Sequence, residues 1–265
     1  MRARIIAEAG SNHCGDIGIA SQMVRQAAAC GADYIKFQSW QSKNLKPGDP
    51  NHERHALAEL SDEAHHILID ECKKRGIEFL TSCFDINRAD FLAGLGLESI
   101  KIPSTEFTSL RMIRMLKERF NHLMLSTGAV TDNELEETIA ILKGHRFTLL
   151  HCVSIYPLPA EKANLARMSR LRAYTPSVGF SDHSLGPDLA KAAIAMGAEY
   201  IEKHFTIDRT LPGRDQAISS GPDVIRDIAE YAKYFEKAYG KERYRISAQE
   251  SAVRREYTGK WGNNR

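Results

Sequence analysis

The sequence predicts a single (β/α)8 barrel, a TIM barrel of the α/β class. Three observations carry that prediction. Eight short β-type runs alternate with stretches of helical periodicity. Glycines fall where the helices should stop. The 265 residues are the length of one such barrel. A doubly wound sheet fits less well, because it uses fewer strands and puts a Gly-rich turn after the first. Here that turn reads Ala-Gly-Ser-Asn-His-Cys-Gly, which lacks the spacing of a dinucleotide fingerprint.

The strand-like runs are residues 4–8, 34–37, 78–81, 99–102, 123–126, 148–152, 177–180 and 200–203. Between them, apolar positions at helical spacing are clearest over 17–29, 61–75, 132–142, 187–196 and 224–239. The second of these opens Ser61-Asp62-Glu63, an N-terminal capping signature. Gly31, Gly76, Gly144, Gly197 and Gly240 mark helix ends, and after three of them Ala or Ile leads straight into a strand. Gly221-Pro222 reads as a turn before the last helix. The barrel is expected to occupy residues 1–242. Residues 243–265 form a polar tail ending Lys-Trp-Gly-Asn-Asn-Arg, expected to pack weakly or not at all.

Composition narrows the function. The chain is 43% hydrophobic and 26% charged, values of an ordinary globular protein with a core large enough to need no staples. Its 36 basic and 34 acidic residues leave a net charge of +2, with no dense basic stripe, so neither nucleic acid nor an anionic membrane surface is an expected partner. No apolar run approaches the roughly 20 residues of a membrane span. The opening Met-Arg-Ala-Arg-Ile-Ile-Ala-Glu resembles a secretory leader in charge only and already reads as a strand. Cys14, Cys30, Cys72, Cys83 and Cys152 are scattered and odd in number, which points to reduced thiols and a cytoplasmic location.

In a TIM barrel, catalytic groups gather at the C-terminal ends of the strands. In this sequence all eight runs end in polar residues: Glu8, then Asn12 and His13; Lys36 and Gln38; Thr81 and Ser82; Lys101, Ser104 and Glu106; Ser126; Cys152 with Ser154 and Tyr156; Ser181 and His183; Glu202, Lys203 and His204. Lys36 and Lys101, converging with Ser82, Ser104, Ser126 and Ser181, suggest a site for phosphate or carboxylate oxygens. The competing reading of either lysine is a structural ion pair. His183 and His204 end adjacent strands, so their rings can meet over the mouth. Two imidazoles with oxygens suit Mn, Fe, Co or Zn, though such a pair can also be merely hydrogen-bonded. His13 is a weaker third candidate. His65 and His66 read as solvated, His151 as a buried partner of backbone, and Cys83 and Cys152 as inert buried thiols.

Taken together these motifs resemble the sialic acid synthase family, which includes N-acetylneuraminate, legionaminate and pseudaminate synthases and spore-coat polysaccharide relatives. The matching segments are IIAEAGSNHCG, GADYIKFQSW, GIEFLTSCFD, IKIPSTE, LSTGAV, LLHCVSIYPLP, VGFSDHSLG and GAEYIEKHFTIDRTLPGRD with the following SGPD, in family order across residues 4–240. The resemblance implies a TIM-barrel enzyme that condenses phosphoenolpyruvate with an open-chain sugar aldehyde to a 2-keto-3-deoxy sugar acid and phosphate. It implies a divalent metal, Mn2+ first, with Mg2+, Co2+, Fe2+ or Zn2+ as others, held by His183 and His204. Lys36, Ser82, Lys101, Ser104, Ser126, Ser154, Tyr156 and Ser181 would hold phosphoenolpyruvate. Glu106 would manage a proton or a water, and Glu8, Gln38 and Asp215 would touch the sugar. A homo-oligomer is a further expectation.

The sequence departs from the family pattern on the acceptor side. It stops at Arg265, whereas the family continues into a small antifreeze-like domain that supplies an arginine to the acyl-amino group of the sugar. The stretch between Lys36 and Ser61 is shorter than usual. Arg214 and Gln216 stand where Pro and His are common. These differences lead to the expectation of a catalytic barrel alone, with intact donor chemistry and an altered acceptor, such as one lacking the N-acetyl group. Alternatives are a Schiff-base aldolase using Lys36 or Lys101, a non-catalytic barrel that binds sugar acids or phosphate, and a heptulosonate- or octulosonate-type synthase.

Overall fold

A computed structural model describes residues 2–240 and 245–262. Eight parallel strands close in sequence order: β1 (Arg4–Gly10), β2 (Tyr34–Ser39), β3 (Glu78–Cys83), β4 (Ser99–Ile102), β5 (His122–Ser126), β6 (Phe147–Cys152), β7 (Val178–Asp182) and β8 (Tyr200–His204). The barrel closes where Ile6 of β1 lies beside Glu202 of β8. The predicted barrel is therefore the observed one. Strand starts agree with the sequence reading to within one residue, and the strands run up to two residues further at their polar ends.

The helices in order are α1 (Ile17–Ala29), α2 (His52–Leu57), α3 (Asp62–Arg75), α4 (Ala89–Gly94), α5 (Leu110–Arg119), α6 (Asp132–Leu142), α7 (Arg167–Leu171), α8 (Asp188–Ala195), α9 (Pro222–Tyr239) and α10 (Ala248–Tyr257). The strongest ones start where a side chain satisfies a free amide. Asp16 accepts from Ile19 N, Ser61 from Ala64 N, and Thr131 with Glu134 forms a reciprocal capping box. Gly76 closes α3 in the left-handed region at φ 66°, a conformation that costs a side chain dearly. The short helices α2, α4 and α7 have too few turns to show a periodicity in sequence.

Period-two alternation sorts each strand into an outward and an inward face. Outward residues such as Ile5, Ile35, Phe37, Phe79, Leu125 and Phe180 pack against the helix ring. Burying each large apolar side chain contributes roughly 1.5–3 kcal/mol. Inward residues form a floor of Ile6, Tyr34, Leu80, Met124, Leu150 and Tyr200. Gly179 completes that floor, because a Cβ there would lie 2.4 Å from Leu150 Cδ2 and 2.5 Å from Tyr200 O. Two residues further along the same strands, every inward position is polar or a thiol: Glu8, Lys36, Ser82, Ser126, Cys152, Ser181 and Glu202. The apolar floor thus ends in one step at a buried ionic layer.

The expected boundary between residues 242 and 243 lies outside the described residues. Within the predicted tail, α10 is a helix capped reciprocally by Ser247 and Glu250, and it buries none of its residues. His65 corrects the sequence reading: it is fully buried in α3, with Nδ1 against Ser61 O at 2.8 Å and its ring edge-on to Phe79 and Phe91. His66 is exposed as expected. His151 is buried, with Nε2 on Ala163 O at 2.7 Å, as the sequence suggested.

Candidate active site

The C-terminal ends of the strands enclose a cavity of about 500 Å³. Lys36, Glu8, Gln38, Ser82, Lys101, Ser104, Ser126, Ser154, Tyr156, Ser181, His183, His204 and Asp215 all line it. Glu106 does not. It opens onto an adjoining cavity that shares Gln38, Trp40, His55 and Phe84 with the first, and its carboxylate accepts from Ser109 Oγ at 2.6 Å.

The centre of the site is an ionic cluster. Lys36 Nζ lies 2.8 Å from Glu8 Oε2 and 3.4 Å from Glu202 Oε2, and donates to Ser82 Oγ at 2.9 Å. Gln38 donates to the other Glu8 oxygen at 2.8 Å, so both oxygens of that carboxylate are tied. Lys101 Nζ donates to Ser126 Oγ at 2.6 Å and stands 3.9 Å from Glu202 Oε1, which also accepts from Ser181 Oγ at 2.9 Å. Glu202 therefore joins the two lysines. The sequence reading noted it at a strand end but gave it no role, although it shares the inward parity of His204.

The cluster divides its protons unevenly. Burial raises the Glu8 carboxyl to about 7 against the pull of Lys36, with Glu202 adding to the rise. Burial acts on Glu202 as well, but Lys101 and Lys36 outweigh it and hold its carboxyl well below the usual range. Burial lowers Lys101 to about 8 despite Glu202. Glu202 and Glu8 overcome the same penalty on Lys36 and hold it above the lysine range. Lys36 and Lys101 thus share the firmly ionised Glu202, and Glu8 is the second carboxylate on Lys36.

A second group sits on the β5–β7 side. Gly128 N donates to Ser104 Oγ at 2.9 Å. A Cβ on Gly128 would lie 2.3 Å from Ser154 Oγ, 2.8 Å from Ser104 Oγ and 2.9 Å from Cys152 Sγ, so only glycine leaves those three groups in place. Ser104 Oγ donates to Cys152 Sγ at 3.6 Å, and that sulfur lies 4.0 Å from His183 Nδ1. Burial pushes the Cys152 thiol up, but His183, Ser104 and Lys101 together bring it below its ordinary value. Cys152 is buried, as the sequence reading has it, and lines the cavity. Cys83 matches that reading, pushed up to about 12 by burial.

His183 and His204 meet over the mouth with ring centroids 5.5 Å apart, and Tyr156 stacks on His183 at 4.0 Å. His183 Nδ1 must donate to Val153 O at 2.9 Å, which leaves Nε2 with a free lone pair. His204 Nδ1 is buried with no partner. The donor chemistry fits a divalent ion shared by two imidazoles. Among the described residues no group of three or more His, Cys, Asp or Glu could enclose one, so such an ion would keep positions open to other oxygens. His13 cannot be a third ligand: it is fully buried, and its Nδ1 lone pair already accepts from Gly15 N at 3.1 Å.

The two acceptor-side differences separate in the structure. Gln216 is buried and fastens the loop after β8, with Nε2 donating to Asn12 O at 2.7 Å and Pro212 O at 3.3 Å. Arg214 instead lines the cavity, as do Arg54 and His55 of α2, which the sequence reading did not single out.

A model of the NeuB family matches residues 23–244. The chain belongs to the NeuB family. It is 37% identical over 257 residues to an N,N'-diacetyllegionaminic acid synthase of Campylobacter jejuni, covering 89% of this chain and 77% of that one. It is 34% identical to the synthase of the same name from Legionella pneumophila, covering 96% of this chain and 78% of the other. The crystal structure of an N-acetylneuraminic acid synthetase from Leptospira borgpetersenii, in complex with citrate, superposes with a TM-score of 0.89 at 32% identity. That superposition covers 98% of this chain and 93% of the other. In this NeuB barrel no described helix is long and apolar enough to cross a membrane.

Proposed function

We propose that this NeuB-family barrel joins phosphoenolpyruvate to an open-chain sugar aldehyde, forming a 2-keto-3-deoxy sugar acid and releasing phosphate. The observation that carries the reading is the bridge of Lys36 and Lys101 through Glu202, set beside a serine ring and two facing histidines in one cavity. Small-molecule metabolism suits that enclosed polar mouth. Five free cysteines are in keeping with a reducing cytoplasm.

Lys101 and Ser126, with Ser104, Ser154 and Ser181 beside them, bind the phosphate and carboxylate of phosphoenolpyruvate. Lys36 and Ser82 add charge and a hydroxyl at the same end, where negative charge grows as phosphate departs. His183 and His204 would hold a divalent metal, Mn2+ by the family resemblance, while Asp215 on the same cavity wall would touch the sugar. When bound, that metal supplies Lewis acidity toward the aldehyde oxygen and makes the sugar carbonyl carbon electrophilic. Gln38 and Lys36 orient Glu8, whose raised proton affinity suits it to exchange a proton with the water that adds at C2 or with the new hydroxyl. Glu106 can share that role once its carboxylate leaves Ser109. Tyr156 covers the histidine pair and limits water there.

The test is phosphate release from phosphoenolpyruvate with a panel of aldoses and N-acyl-hexosamines, with and without Mn2+ and a chelator. Stoichiometric keto acid and phosphate, lost on chelation, is the expected result. No aldehyde-dependent phosphate from any sugar would reject the reading. Activity with N-acetylmannosamine equal to or above that with other acceptors would reject an acceptor lacking the N-acetyl group.

A further inference from the structure

After β8 the chain makes a loop that leaves and returns beside His204. Thr206 N donates to Ser220 O at 3.0 Å and Ser220 N to His204 O at 2.8 Å, so residues 207–219 are closed at their base. Asp215 lines the cavity from this loop. Among the described residues its carboxylate has no hydrogen-bond partner, while its carbonyl accepts from Ser219 Oγ at 2.6 Å. A short side chain on a loop is aimed only as well as the loop is held.

Gln216 does the holding. From Ile207 to Ile218 it is the one residue that is buried. Its two N–H donors and its oxygen are all engaged. Nε2 reaches Asn12 O at 2.7 Å, in the connection after β1, and Pro212 O at 3.3 Å within the loop. Oε1 accepts from Thr206 Oγ1 at the loop's base. Asn12 closes the arrangement from the other side, with Nδ2 donating to Phe205 O and to Ser219 Oγ at 2.9 Å each. Ser219 passes that restraint to Asp215 through its own bond to the Asp215 carbonyl. The packing is close as well. A Cβ on Gly213 would lie 3.1 Å from Gln216 Cγ and 3.2 Å from Cys14 Sγ. Neighbouring residues thus divide the work, Gln216 turned into the protein and Asp215 toward the cavity.

We propose that Gln216 is a positioning residue for the acceptor sugar. By tying the loop to Asn12 and Thr206 it fixes the direction of the Asp215 carboxylate, which accepts a hydrogen bond from the sugar. This deepens the synthase reading and rests on it. Lys101 and Ser126 stand on β4 and β5, across the barrel from β8, so Gln216 acts on the acceptor and leaves phosphoenolpyruvate binding alone.

The experiment uses two substitutions. Gln216→Met keeps the length of the side chain and removes both donors and the acceptor. The neutral imidazole of Gln216→His keeps one of each. The readout is KM for mannose and for N-acetylmannosamine, set against KM for phosphoenolpyruvate. In Gln216→Met the acceptor KM should rise by at least about 10-fold, with a smaller fall in kcat. KM for phosphoenolpyruvate should hardly change, and Gln216→His should recover most of the loss. Asp215→Asn should raise the acceptor KM too. Adding Gln216→Met to it should raise that KM little further, because both changes remove one contact. Additive effects in the double variant, or donor and acceptor KM rising together, overturn the positioning role. No aldehyde-dependent turnover by the unaltered protein rejects the synthase reading instead. Hydrogen exchange then decides the role of Gln216 in the loop by itself. Amides of residues 207–219 should exchange faster in Gln216→Met and return toward the original rate in Gln216→His. Equal exchange in all three proteins overturns it.

Discussion

Asp182 and Lys203 form a fully buried ion pair at 2.7 Å, one residue before each of the two facing histidines. They are register partners on β7 and β8, so the pair joins the two strands on the face opposite His183 and His204. Asp182 also accepts from Ser184 N, and Lys203 also donates to Ser184 O at 2.7 Å. Every charge on this pair is therefore met by a fixed partner. Asp182→Asn leaves the Lys203 ammonium buried against a neutral amide, and should cost about 3–5 kcal/mol of stability. Asp182→Asn with Lys203→Met should cost less than the single change. Urea unfolding of the single and double variants checks this, and equal or greater loss in the double would show that the pair does not act as a unit.

His204→Ala should lower turnover by at least about 100-fold and remove bound divalent metal, because its ring and that of His183 face each other over the mouth. Metal content by elemental analysis and phosphate release are the measurements. A variant with both intact would refute the assignment of this histidine.

The barrel was legible because alternation and glycine punctuation are local signals. Each strand start was placed within a residue. The ends of strands also announced the site, since polar groups replace apolar ones there. What the pattern missed has a common cause: sequence shows that a residue is polar without showing where its side chain goes. Glu202 shares the parity of His204, but in the sequence it stands next to the equally charged Lys203, and charge alone does not show which of the two faces inward. His65 looks solvated beside His66 in the sequence, yet neighbouring helical positions point about 100° apart: both rings reach Phe91, but His65 also meets Phe79 and is buried while His66 is exposed. Glu106 carries the expected motif, and its contact with Ser109 sends it into the adjoining cavity. Arg54 lies on a six-residue helix too short to signal itself.

Glu8→Gln tests the ionic centre. The amide keeps the size of the side chain but removes the charge that Lys36 meets at 2.8 Å and the proton that Glu8 can exchange. Turnover should fall by about 100-fold or more. Lys36 remains beside Glu202 and Ser82, so phosphoenolpyruvate affinity by titration should change much less than kcat. An equal loss in both would assign Glu8 to binding alone.

Lys101, lowered to about 8 by burial, holds a larger neutral fraction near neutral pH than an ordinary lysine, the property a Schiff-base lysine needs. Its 2.6 Å donation to Ser126 instead orients it as a fixed donor. Borohydride treatment with phosphoenolpyruvate and sugar present should leave activity unchanged and yield no adduct at Lys101 or Lys36 by mass spectrometry. A trapped adduct would favour the aldolase mechanism.

Acid stability should follow the buried histidines. Burial lowers His13, His65 and His122 to about 4 from an ordinary 6.5. Between those pH values the unfolded chain binds protons that the folded chain refuses, so the free energy of unfolding rises with pH across that window. The stabilising contribution is complete above 6.5 and is lost as pH falls toward 4. Each histidine can account for up to about 3 kcal/mol, because one pKa unit is worth about 1.4 kcal/mol. His65 is the cleanest probe, since it sits in α3 away from the mouth and its Nε2 has no partner. His65→Asn keeps a group able to reach Ser61 O and cannot take up a proton. It should narrow the difference in urea midpoint between pH 7 and pH 5 relative to the unaltered protein. An unchanged difference would show that His65 is protonated in the folded state.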